Sequence, residues 1–259
     1  MPRPWLIILL AQLLGISSMT ASAQSLWLSN EAIGGDSSGY NLSVTRSFAP
    51  TPKLKLFGGM SRFASDDASW LLGNLSLSAP KVGSVYLSGG VTLGRGSTTE
   101  HGFSYNKLKM EGLYTTSPRW SIALSDTYID IDTTVGHIVD AQITWNTTQS
   151  IGLIYSVSNT IDSNVETHQQ GIQLKFPGKG NTTWKAGYFF GHSSSPILLN
   201  DFVTTVSGPA MKIRKKFATV AIPVGPVMYT LAGDHTQLGD TDRYSLTLAL
   251  EIPVDLLGG

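Results

Sequence analysis

Apolar and polar side chains alternate one by one along most of this chain. Val139, Ala141, Ile143 and Trp145 occupy one side of a stretch whose other side is Asp140, Gln142, Thr144 and Asn146. Tyr244, Leu246, Leu248, Leu250 and Ile252 oppose Ser245, Thr247, Ala249 and Glu251 in the same way. Trp184, Ala186, Tyr188 and Phe190 alternate with Thr183, Lys185, Gly187 and Gly191, and only Phe189 breaks that rhythm. A period of two belongs to a β-strand with one apolar face, whereas a helix repeats its apolar residues at three and four. No stretch after residue 24 carries the helical period, so the expected fold is all-β.

The alternation predicts about fourteen strands, with twelve as the alternative count, over 25–32, 39–48, 53–63, 70–79, 83–94, 102–115, 119–131, 136–147, 150–160, 166–177, 182–192, 211–224, 226–235 and 243–254. Most have the nine to eleven residues that cross a bilayer obliquely. The connections fall into two kinds that take turns. Ala49-Pro50-Thr51-Pro52, Pro80-Lys81-Val82, Ser117-Pro118, Thr148-Gln149, Gly178-Lys179-Gly180 and Gly225 are short, while 34–38, 65–67, 95–101, 132–135, 161–165, 193–210 and 236–242 are longer and more polar or acidic. Short turns at one end and long loops at the other are the habit of an outer-membrane barrel, and a soluble sandwich has no reason to keep that parity. The expected architecture is a transmembrane, up-and-down antiparallel β-barrel. Hydrocarbon offers no water to an unpaired strand edge, so such a sheet must close on itself.

The ends and the composition agree. Arg3, the apolar run from Trp5 to Ile16 and the small residues Ala21-Ser22-Ala23 form the three parts of an export signal. Cleavage is expected after Ala23, giving a signal peptide over 1–23 and a barrel over 24–259 in the bacterial outer membrane. Only 14% of residues are charged, against roughly 25% in soluble domains. Zero formal net charge argues against nucleic acid as a partner, and the absence of cysteine removes disulfides and thiolate metal sites. Phe48, Tyr114, Trp120, Trp145, Phe176 and Trp184 fall at the short-turn ends of apolar rows, and Tyr40, Tyr128, Phe190 and Tyr244 at the long-loop ends. Rings at both levels are expected as interfacial girdles.

From about Arg119 to Val254 the chain resembles the YaiO-like outer-membrane β-barrel proteins. The resemblance rests on the rhythm of Trp120 to Tyr128, of Asp140 to Trp145 and of Thr183 to Gly191. It implies an outer-membrane location and a bare barrel, and transfers no functional residue. Such barrels often end on an aromatic residue read by the barrel-assembly machinery, whereas this chain runs on past Ile252 to Leu257-Gly258-Gly259.

Three groups of residues are candidates for function. Lys53, Lys55, Lys107, Lys109, Lys175 and Lys185 fall on polar rows with Glu111, Asp140 and Glu251. In a lumen they would favour anions, or pair with one another. Lys212, Arg214, Lys215 and Lys216 form a basic run at a long-loop end, suited to lipopolysaccharide or to a merely solvated rim. Among the rim histidines, His101, His137, His168, His192 and His235, the sequence Gly191-His192-Ser193-Ser194 places a hydroxyl at Ser194 two positions from His192, with Asp201 the nearest acid in sequence. A surface lipid esterase needs such a base beside its nucleophile, and a histidine in a polar turn is the competing reading. No Gly-x-Ser-x-Gly elbow or His-Glu-x-x-His motif occurs, and no cofactor or metal is implied. Expected partners are outer-membrane lipid, lipopolysaccharide, the assembly machinery and envelope or polysaccharide-export components. A non-enzymatic barrel, a narrow channel or a cell-envelope component, is the leading expectation; the alternatives are a lipid esterase using His192 and Ser194 and a surface scaffold or recognition barrel using the long loop over 193–210.

Overall fold

The computed structural model of the chain describes residues 21–33, 37–51, 54–65, 68–99, 102–131, 134–147, 151–161, 166–193, 197–199, 202–204 and 211–252. Within them the strands are β1 (Ala21–Ile33), β2 (Ser37–Thr51), β3 (Leu54–Ser65), β4 (Ala68–Ser78), β5 (Val85–Thr98), β6 (Gly102–Ser117), β7 (Trp120–Ile131) and β8 (Thr134–Asn146). They continue as β9 (Gly152–Ile161), β10 (Thr167–Pro177), β11 (Thr183–Ser193), β12 (Ile197–Leu199), β13 (Phe202–Thr204), β14 (Met211–Val224), β15 (Val227–Leu238) and β16 (Thr241–Ile252).

Fourteen of them form one closed antiparallel barrel in chain order, with β11 beside β14 because β12 and β13 stand apart as a separate two-stranded sheet. β1 closes on β16 from Gln24↔Ile252 to Ile33↔Arg243; it begins four residues before the expected start at Ser25, and Ala21 and Ala23, within the expected signal peptide, pair with Phe48 and Ser47 of β2. The count of fourteen replaces the alternative of twelve. The expected loop over 193–210 is shorter than predicted by one strand residue, Ser193, and carries a small hairpin of its own, β12 with β13.

Turn chemistry explains the short connections. Gly225, at φ 58°, adopts the left-handed conformation that a two-residue hairpin turn demands between β14 and β15. Val82 and Val85 exchange backbone bonds of 3.0 Å, which starts β5 two residues later than the alternation implies. These turns lie at the rim where β1 begins and β16 ends, here the terminal rim. The connections expected to be longer lie at the opposite, loop rim, but their expected excess of length is corrected. The strands run on into them, so that two residues separate β3 from β4, β7 from β8 and β15 from β16, as they do β14 from β15, and the β11–β14 connection alone is much longer.

Register assigns the two faces. Ser125 stands opposite Asp140, and both line the interior with Lys107, Gln173 and Thr230. The alternate residues point outward, where Met110 is 66% and Leu246 59% exposed. The outward rings mark two levels. Trp120 stacks on Trp145 at 6.0 Å and Phe176 on Trp184 at 6.4 Å near the terminal rim. Tyr40, Tyr128, Phe190 and Tyr244 are exposed near the loop rim.

The buried apolar residues are unlike those of a soluble domain. Phe63, Trp70, Leu72, Phe103, Tyr105 and Ile129 cluster on the inward side at the loop rim, and Ile213 with Leu238 form a second small group there. Inward side chains, polar over much of the barrel, are apolar at this end. Trp70, Leu71 and Leu72 are consecutive apolar residues, so β4 offers apolar side chains to both faces.

Candidate functional site

The interior is the largest feature the strands create. A cavity of about 880 Å³ is lined from β2 round to β16, and one of about 410 Å³ shares Asn74, Thr92, Lys107, Lys109 and Glu111 with it. Alternation brings the expected charged residues there: Lys107, Lys109 and Glu111 from β6, Asp140 from β8 and Lys185 from β11. Lys55, Lys175 and Glu251 share the inward parity but sit nearer the terminal rim, where each is exposed. Lys53 lies outside the described residues.

Some of these charges pair. Lys109 Nζ lies 2.9 Å from Glu111 Oε2, two residues apart on one face. Both side chains are about 40% exposed, so water screens the pair and its net worth is small. Ser125 donates to Asp140 Oδ2 at 3.1 Å.

The basic run of β14 is divided by the pleat, which corrects its reading as a single rim patch. Lys212, Arg214 and Lys216 point outward and are exposed, whereas Lys215 turns inward with a side chain 5% exposed. Its Nζ lies 3.5 Å from Asp234 Oδ1. Thr236 donates to the same carboxylate at 3.2 Å, and the Ser245 hydroxyl donates to its other oxygen. Lys215 and Asp234 both line the larger cavity. Their inward parity is the signal in the sequence that would have found them.

Aromatic rings enter the interior where glycine faces them. Phe189 stands directly across from Gly171, Phe217 from Gly187 and Phe103 from Gly96. A Cβ at any of these glycines would collide with the ring opposite, so each ring lies flat on bare backbone. Phe189 and Phe217 stack at 5.9 Å and line the cavity, and Lys185 Nζ lies 5.9 Å from the Phe217 ring centre. The break in alternation at Phe189 is therefore an inward ring seated on a glycine floor. Across the barrel, Phe63 stacks on Trp70 at 4.0 Å within the apolar cluster.

The rim histidines among the described residues point outward. His137 Nδ1 lies 3.0 Å from Asp126 Oδ1, and His235 Nε2 lies 2.8 Å from Asp242 Oδ1 with its ring stacked on Tyr244. His168 Nδ1 meets Asn159 Oδ1. His192 is exposed, opposite His168 on β10 and Lys212 on β14. Ser194, Asp201 and His101 lie outside the described residues, which bring no carboxylate to His192.

No family model matches this sequence, and no curated protein does. Solved structures are similar in fold. The monoaromatic hydrocarbon channel CymD aligns over 93% of this chain and 89% of its own, with a TM-score of 0.58 at 7% identity. A deltaS2 mutant of the monoaromatic hydrocarbon channel TodX covers 89% of each chain with a TM-score of 0.56 at 8% identity. The outer membrane protein Omp33 of Acinetobacter baumannii aligns over 90% of this chain and 99% of its own, with a TM-score of 0.54 at 10% identity. At these identities the likeness is one of architecture: the chain has the fold of outer-membrane β-barrels.

Proposed function

We propose that this chain is an integral outer-membrane protein whose barrel is a narrow channel for small polar solutes, with a mild preference for anions. One observation carries the reading. Large apolar side chains stand exposed on the outward rows from β4 to β16, while the inward rows enclose a cavity of about 880 Å³ lined mostly by polar and charged residues, with the Phe189 and Phe217 rings among them. Soluble monomers rarely expose contiguous apolar patches beyond a few hundred Å². A surface of this kind calls for acyl chains, and paired backbone all round the barrel lets the sheet sit in them without orphaned polar groups.

The proposal carries an orientation: the terminal rim in the periplasm and the loop rim outside, with export by the signal over 1–23. Membership of the YaiO-like group belongs to it as well, supported by the strand rhythm of the second half. Barrel-assembly machinery, and envelope or polysaccharide-export components, are the proteins such a barrel would meet. The esterase reading gains no support from a His192 without a carboxylate among the described residues.

Planar-bilayer recording of the refolded protein tests the channel. Discrete conductance steps, larger for small anions than for cations of equal size, are expected. An inserted, heat-modifiable barrel with no steps would end the channel reading, and a polypeptide freely soluble without detergent would end the membrane reading.

A further inference from the structure

Among the described residues, the outward face of β14 is the one place where cations occupy successive positions of an otherwise apolar row. Lys212, Arg214 and Lys216 are all exposed there, and Ala218, Val220, Ile222 and Val224 continue the same row toward the terminal rim. Among the described residues no carboxylate pairs with any of the three. Asp242 on β16 is held by His235, and the exposed Asp240 sits in the turn beside Gly239, whose N–H donates to the Lys212 carbonyl. Register sets a ring or imidazole beside each cation on β11: His192 opposite Lys212, Phe190 opposite Arg214 and Tyr188 opposite Lys216.

Three charges facing the hydrocarbon side of a barrel are costly at mid-membrane and tolerable at the interface, where headgroups meet them. Their place at the loop-rim end of the row puts them at that level. Successive outward residues lie about 7 Å apart, so the column spans roughly 14 Å. That reach exceeds one phosphate and suits two phosphates separated by a rigid spacer, with the guanidinium between them able to bind phosphate in bidentate fashion. Phe190 and Tyr188 offer apolar edges to the sugar and the first acyl methylenes.

We propose that this face of β11 and β14 binds a diphosphorylated glycolipid of the outer leaflet, with Lys212, Arg214 and Lys216 gripping its phosphates. The inference rests on the membrane-spanning reading above but not on whether the lumen conducts. Lys215, next to all three in sequence, takes no part because it faces inward.

Native mass spectrometry of the full barrel in nanodiscs doped with diphosphoryl lipid A, or with the same lipid stripped of both phosphates, tests the site. Wild-type protein is expected to retain the diphosphoryl form alone. The triple variant Lys212→Gln, Arg214→Gln, Lys216→Gln should retain it roughly a hundredfold more weakly. A control triple at the terminal rim, Lys81→Gln, Arg119→Gln, Lys179→Gln, should behave as wild type. Inorganic phosphate at millimolar concentration should not displace the lipid, and displacement would point to a free-anion site instead. Equal retention of both lipids by wild-type protein overturns the inference even if the variants fail to fold. Failure of wild-type protein to enter nanodiscs overturns the membrane reading with it.

Discussion

Asp234 collects three donors inside the barrel: Lys215 at 3.5 Å, the Thr236 hydroxyl at 3.2 Å and the Ser245 hydroxyl. Its side chain is 17% exposed, so the ammonium supplies much of what water would otherwise give. Removing a charge partner from a buried pair costs more than the pair is worth, because the remaining ion keeps its desolvation cost. Two hydroxyls and the adjoining cavity soften that penalty. Lys215→Met should therefore lower stability by about 2 kcal/mol, read from urea unfolding in lipid vesicles. Lys212→Met, on the exposed outward row, should stay within about 0.5 kcal/mol of wild type. The two lysines are three residues apart and identical in type, and only the parity of the pleat separates them. That parity was already present in the alternation around them. A run of adjacent basic residues hides it, since a charge cluster reads as one surface patch until each residue is assigned a face.

At the scale of elements, the cross-strand pairs of glycine with an aromatic ring join β10, β11 and β14 into a single inward surface. Gly171 faces Phe189, and Gly187 faces Phe217, whose ring stacks on Phe189. A methyl at Gly171 would overlap the Phe189 ring, forcing it off the wall and into the cavity. Overpacking of this kind costs about 1–3 kcal/mol. Gly171→Ala should accordingly lose that much stability and reduce single-channel conductance. Gly233→Ala, on the outward side of β15, meets nothing nearer than 3.8 Å and should change neither. A wild-type conductance in Gly171→Ala would show that the Phe189 ring does not border the permeation path. The barrel strands themselves were legible in the sequence because each keeps one phase of alternation between recognisable turn residues. β12 and β13 were not, being three residues each in a long polar connection, too short to display a period. The ring floors were half visible: Phe189 stood out as an irregularity, but its partner Gly171 is eighteen residues away and is found only through register.

For the whole molecule, closure follows from strand number and pairing, and the pairing of β1 with β16 leaves no edge open. Selectivity follows from something local alternation leaves undetermined, namely which inward residues of distant strands share one cavity. The larger cavity gathers Lys107, Lys109, Lys185 and Lys215 with Glu111, Asp140 and Asp234, a surplus of one positive charge. On the proposed channel reading so small a surplus gives only a mild anion preference, since two of the lysines lie beside carboxylates at 2.9 and 3.5 Å. Lys107 and Lys185 come from well-separated walls, β6 and β11, five strands apart, so reversing both changes the field across the lumen and spares the Lys215–Asp234 pair. In the double variant Lys107→Glu, Lys185→Glu, two lysines would face five carboxylates. Charges lining a narrow lumen act through a low-dielectric wall and set ion preference more strongly than the same charges in bulk water. The reversal potential across a tenfold KCl gradient should change sign between the wild-type and double-variant channels, at a salt level low enough that the Debye length of about 10 Å still spans the lumen. An unchanged sign with conductance intact would mean that ions pass without sensing these two walls, and the lysine-lined cavity would no longer account for selectivity.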